Sequence, residues 1–123
     1  MRIAVVEDDQ LIRRLMEFKL SGMGHDVEQF TNGAKALEFY GDNPLPNLII
    51  TDIMMPIMGG IEFTSRIREI DKKIPIVAVT GGTSNVGVES KSMFTLWVEK
   101  NGSIDDILAI IFQGLMEKKL VKI

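Results

Sequence analysis

Five polar residues, Glu7, Asp8, Asp52, Thr80 and Lys100, stand at or within two residues of the end of a short apolar run. The runs read IAVV before Glu7-Asp8, LIIT before Asp52, IVAV before Thr80 and TLWV before Glu99-Lys100. Two carboxylates about 4 Å apart repel by about 4 kcal/mol at an effective dielectric near 20. Three of them together would rival the ~5–15 kcal/mol net stability of a whole domain. If these side chains converge, a cation must share their site, and Lys100 brings only part of the charge needed. Hard oxygen ligands without His or Cys suit Mg²⁺, with Mn²⁺ as a substitute, because such an ion takes a few carboxylates, several waters and a phosphate oxygen. A carboxylate beside that ion, faced by an ammonium and a hydroxyl, is arranged to attack phosphorus. Asp52 is thus the candidate nucleophile of an aspartyl phosphate.

Each signal has an ordinary explanation when taken alone. Glu7-Asp8-Asp9 reads as a loop and helix N-terminus, where acidic groups favour the helix dipole. Asp52 reads as a turn residue, Thr80-Gly81-Gly82 as a strand running into a loop, and Lys100 as a solvated charge. Their joint placement at the ends of separate strands is what argues for chemistry. An open parallel sheet binds its ligands outside the carboxyl ends of its strands.

The elements that must position these groups alternate along the chain. Runs rich in Val, Ile, Phe or Thr predict strands at Arg2 to Val6, His25 to Phe30, Leu48 to Thr51, Ile76 to Thr80 and Thr95 to Val98. Helical periods start near Asp9, Gly33, Gly60, Ser84 and Ser103, and Gly22, Gly24, Gly41, Pro44, Pro46 and Pro75 punctuate the joins. Strands alternating with helices demand right-handed crossovers and a parallel sheet covered on both faces, which explains the unbroken apolar runs. The predicted fold class is an open α/β sandwich.

Composition narrows the function classes. A chain of 123 residues fits one domain, 1–123, and 46% hydrophobic with 25% charged residues fits a globular protein. No apolar stretch approaches the ~20 residues that cross a bilayer. MRIAVVEDD lacks the features of a signal peptide, and the absence of cysteine permits a reducing compartment, so a cytoplasmic location is expected. A formal charge of −3 without a basic face argues against direct nucleic-acid binding.

The ordered motifs VVEDD, ITDIMMP, IVAVTGG and VEK resemble those of the receiver domains of two-component response regulators, over essentially the whole chain. The resemblance implies a flavodoxin-like five-stranded parallel sheet in the order 2-1-3-4-5 with about five helices. It implies that Asp8 ligates Mg²⁺ directly and Glu7 through water, and that Met54 offers a backbone carbonyl to the metal beside Asp52. Asp52 would accept phosphate from a histidine kinase or histidine phosphotransfer protein, and Thr80 and Lys100 would grip the phosphoryl oxygens. Thr80 and Trp97 would form the switch, and Met54 and Gly82 would line the approach of a hydrolytic water. Such a protein catalyses its own phosphotransfer and autodephosphorylation and is not a conventional enzyme.

Two departures from the family pattern stand out. Members usually carry Lys-Pro with a cis bond where this chain has Lys100-Asn101; a cis bond to a non-proline costs about 3–4 kcal/mol, so the loop is either strained or rearranged. GGTSNVGVESKSMF is a poor helix former, which predicts a short or irregular fourth helix. On the first helix, Leu11, Leu15 and Phe18 share one face while Ile12, Met16, Leu20 and Met23 share the adjoining one, an apolar arc of roughly 200°. Either Ile104, Leu108 and Ile111 of the last helix help to cover it, or Leu11, Leu15 and Phe18 form a docking face for a kinase or phosphotransfer helix.

The reading that follows is a single-domain response regulator, a monomer or weak dimer, with output through an unknown protein target. Only EKKLVKI follows the last helix, so no DNA-binding effector is expected in this chain. One alternative is a receiver-like interaction module that acts without phosphorylation. A small flavin-binding protein is the other, disfavoured because EDDQ replaces the Ser/Thr/Gly-rich phosphate cradle at the first loop.

Overall fold

A computed structural model describes residues 1–81 and 86–121. Ten elements alternate along it: β1 (Arg2–Val6), α1 (Gln10–Gly22), β2 (Asp26–Phe30), α2 (Gly33–Asp42), β3 (Leu48–Asp52), α3 (Gly60–Ile70), β4 (Ile76–Thr80), α4 (Val88–Lys91), β5 (Leu96–Glu99) and α5 (Ile104–Glu117). The strands form one parallel sheet in the order β2-β1-β3-β4-β5. The chemistry-bearing strands β1, β3, β4 and β5 are therefore consecutive neighbours.

The apolar runs are unbroken because alternate residues enter two different cores. Ile3, Val5, Leu48, Ile50, Val77 and Val79 pack with Met16 and Leu20 of α1 and with Ile107, Leu108, Ile111 and Leu115 of α5. Ala4, Val6, Ile49, Ile76 and Ala78 pack on the other face with Ala36 and Tyr40 of α2 and with Phe63 and Ile67 of α3. β2 reads DVEQF and is only half-buried, as suits an edge strand.

Helix starts follow local chemistry. Asp9 caps α1 by accepting from Ile12 N–H at 3.1 Å, and Asn32 caps α2 by accepting from Lys35 N–H at 3.0 Å. Ser103 and Asp106 form a capping box at α5. α4 is a single four-residue turn, as its poor helix formers predict; its expected start at Ser84, like Gly82, lies outside the described residues.

Two open points from the sequence resolve here. Ile104, Leu108 and Ile111 pack with the Ile12, Met16 and Leu20 side of α1. They do not cover the other stripe, where Leu11 is 69% and Phe18 74% exposed. No described peptide bond is cis, so the Lys100-Asn101 loop is rearranged: Asn101 N–H donates to Glu99 O at 2.8 Å and Gly102 takes a left-handed φ of +84°. No helix among the described residues is long and apolar enough to cross a membrane.

Candidate active site

β1 and β3 end side by side, with Val6 opposite Thr51 in the ladder, so Glu7, Asp8 and Asp52 emerge at one edge. One carboxylate oxygen from each lies within 4.8 Å of the other two. Glu7 and Asp52 are buried, whereas Asp8 is exposed at the mouth. β5 is tied to β4 by Lys100 N–H donating to Thr80 O at 2.8 Å, which brings the lysine to the same edge. Its ammonium bridges Glu7 Oε1 at 2.7 Å and Asp52 Oδ2 at 3.1 Å. Ile53 N–H donates to Asp52 Oδ1 at 2.7 Å, so both oxygens of that carboxylate have a fixed partner.

Three carboxylates against one ammonium leave the cluster formally at −2. Burial, reinforced by the hydrogen bond and charge of Asp52, pushes the Glu7 carboxyl up to about 7, against the opposing pull of Lys100. Burial disfavours the Lys100 ammonium, but hydrogen bonds and charge from Glu7 and Asp52 prevail and raise its pKa above the usual lysine value. A donor set of oxygens, two of its three carboxylates buried and the cluster short of positive charge, fits Mg²⁺.

Thr80 closes β4 and is 2% exposed; Val79, just before it, lies opposite Asp52. Trp97 pairs with Ala78, two residues before Thr80, so Thr80 and Trp97 share a sheet face. The indole is half-buried, stacked edge-on against Phe94 at 5.4 Å between centroids, with Lys91 Nζ 5.1 Å from its ring centre. Met54 is 75% exposed on the loop that follows Asp52.

Several supporting residues escape sequence reasoning. A Cβ on Gly60 would lie 2.1 Å from Asp52 O, and one on Gly59 2.7 Å from Ile53 O, so this Gly-Gly pair lets the start of α3 pack against the backbone carrying Asp52. Gly60 N–H donates to Ile53 O at 2.9 Å and Gly33 N–H to Met58 O at 3.0 Å, which clamps the loop. Ile57 within it has φ +70°, unusual for a β-branched residue, and is 84% exposed. Arg13 Nη1 donates to Glu7 O at 2.9 Å and fixes the end of β1. Gly-Gly after a proline turn was a visible signal; Arg13, one of several helix arginines, gave none.

A doubly wound α/β sheet with an acidic cluster and a lysine at its strand ends defines the class of protein. The response regulator receiver domain profile matches residues 3–111, and the chain belongs to that family. It is 42% identical over 80 residues to the response regulator receiver protein CpdR of Brucella abortus, across 65% of this chain and 66% of CpdR. Over 79 residues it is 34% identical to the autoinducer 1 sensor kinase/phosphatase LuxN of Vibrio harveyi, across 64% of this chain and 9% of LuxN. The chain thus matches only part of these relatives. Among solved structures, response regulator TrrA of Thermotoga maritima, in complex with Mg²⁺ and BeF, superposes with a TM-score of 0.79 at 30% identity, covering 98% of both chains. Chemotaxis response regulator CheY4 of Vibrio cholerae gives 0.80 at 28%, covering 93% of this chain and 98% of its own. TrrA has also been solved in complex with histidine kinase ThkA.

Proposed function

We propose that this receiver accepts a phosphoryl group on Asp52 from a histidine kinase or histidine phosphotransfer protein and signals through phosphorylation-dependent binding of a protein target. The observation that carries the reading is the Lys100 ammonium bridging buried Glu7 and Asp52, with Asp8 in reach of both. Asp8 and Asp52, the Met54 carbonyl and, through water, Glu7 would hold Mg²⁺. When bound, that ion supplies positive charge to the phosphoryl oxygens.

The chain's own residues do the rest. Ile53 N–H holds Asp52 Oδ1, which leaves Oδ2, shared with Lys100, to face the donor. Attack by this oxygen forms the O–P bond of an acyl phosphate as the P–N bond of the donor phosphohistidine breaks; the electron pair leaves with the imidazole. Lys100, released from one carboxylate, and the Thr80 hydroxyl then take phosphoryl oxygens. Hydrolysis later restores the carboxylate and releases inorganic phosphate.

Intact-mass measurement after incubation with acetyl phosphate tests this. One phosphoryl group should add in Mg²⁺ and none in EDTA, and Asp52→Asn should abolish the gain while leaving packing nearly unchanged. Unmodified wild-type protein under both conditions would favour an interaction module that acts without phosphorylation, in keeping with the absent Lys-Pro bond.

A further inference from the structure

A second cluster of polar groups lies at the opposite edge of the sheet, where the strands begin. There the end of α3, the α3–β4 connection and the segment entering β5 border an open groove of about 440 Å³ lined by Arg68, Lys72, Lys73, Ser92, Phe94 and Thr95, among others. Arg68 is held rigidly by donating from Nε to Met93 O at 2.9 Å and from Nη1 to Ile74 O at 2.7 Å and Asp71 O at 3.3 Å. All three acceptors are backbone carbonyls. Among the described residues neither N–H of Nη2 finds an acceptor, and Arg68, Lys72 and Lys73 form no ion pair.

The one carboxylate in this connection, Asp71, is spent on the backbone of the turn and attracts Arg68 and Lys73 only at a distance. Asp71 Oδ1 accepts from Lys73 N–H at 2.7 Å and Ile74 N–H at 3.0 Å, so it braces the turn. Thr95 Oγ1 accepts from Ile76 N–H at 3.1 Å, which leaves its own hydrogen to donate. A rigid guanidinium edge, two ammonium groups and a hydroxyl therefore line one groove, and among the described residues no carboxylate pairs with them within 4.0 Å. Guanidinium edges suit phosphate oxygens geometrically, and flanking lysines add point charge. The groove falls in the range that takes small ligands and exceeds the size of a single phosphate.

We propose that this groove is a binding site for a polyphosphate oxyanion, free or carried on a nucleotide. It does not rest on the phosphorylation of Asp52, which lies at the other edge of the sheet. Isothermal calorimetry with pyrophosphate and with ADP, in EDTA and about 0.15 M salt, tests it. EDTA keeps the acidic site free of a metal that would attract phosphate.

Wild-type protein should bind pyrophosphate saturably with one site. Lys72→Gln/Lys73→Gln, two exposed positions, should weaken binding by about tenfold or more, since each removes a charge-assisted contact. Arg14→Gln/Lys35→Gln removes the same charge from α1 and α2 and should leave binding within about twofold, as diffuse attraction alone is screened and weak. Tighter binding of ADP than pyrophosphate would identify a nucleotide as the ligand, and equal binding a free polyphosphate. No saturable heat with either probe, or equal loss in both double variants, would overturn the site.

Discussion

At the scale of single residues, the charge balance around Lys100 makes a pH-dependent demand on the fold. Glu7 titrates near 7 when folded and near 4.5 when unfolded, so between those values the folded state holds the extra proton. The contribution of Glu7 to the stability of the metal-free protein should therefore fall as pH rises from about 4.5 to about 7, by on the order of 1–3 kcal/mol. Glu7→Gln should flatten that slope, and Mg²⁺ should reverse it in wild type by restoring positive charge. Urea unfolding in EDTA at several pH values measures it; identical slopes in wild type and Glu7→Gln would contradict the raised carboxyl. The roles within Glu7-Asp8-Asp9 were only partly legible in the sequence. Asp9 is a helix cap, as the ordinary reading of the triplet had it, and only the two residues before it join the acidic cluster. Spacing put Asp52 and Lys100 at strand ends but did not reveal that both oxygens of Asp52 are already engaged.

At the scale of elements, the site depends on how closely α3 approaches the end of β3. Gly60→Ala should cost about 1–3 kcal/mol because its methyl would meet the Asp52 carbonyl, and the displaced loop should also weaken Mg²⁺ binding. Gly41→Ala in α2, where a Cβ meets nothing within 4 Å, should be neutral or slightly stabilising. Urea midpoints of the two variants compare these directly. The strands were legible because a two-faced parallel sheet writes itself as apolar runs, whereas the Gly60 contact is tertiary and leaves no periodic trace. α4 was legible only as a weak helix, since its residues neither pack into a core nor carry a strong cap. Thr80 and Trp97 share a sheet face, and we propose that an inward movement of Thr80 would open room beside the indole. A beryllofluoride phosphate mimic with Mg²⁺ should change Trp97 emission, and Thr80→Ala should reduce the change. Unaltered emission at saturating mimic would remove Trp97 from the switch.

At the scale of the whole molecule, the α1 stripe of Leu11, Leu15 and Phe18 is an apolar row that the packing leaves largely uncovered, with Leu11 and Phe18 the most exposed of the three. Helices α1 and α5 meet through Ile12, Met16 and Leu20, so an apolar row beyond that seam adds nothing to the core. We propose the phosphodonor as its partner, because α1 begins directly after Glu7 and Asp8 and a helix seated there would overlook the acidic site. Leu11→Gln/Phe18→Gln should leave thermal stability and acetyl phosphate labelling unchanged, yet slow phosphotransfer from a cognate kinase by about tenfold or more. Equal slowing with both donors would place the defect in the site instead of the docking face.

The phosphorylated carboxylate can be located directly by chemical trapping. Borohydride reduces an acyl phosphate to the alcohol and spares free carboxylates, so a phosphorylated aspartate becomes homoserine. After labelling with acetyl phosphate and Mg²⁺, reduction and peptide mass spectrometry should find homoserine at position 52 and at no other aspartate. Homoserine at Asp8 or another position, or none anywhere despite a gain of one phosphoryl group, would contradict Asp52 as the acceptor.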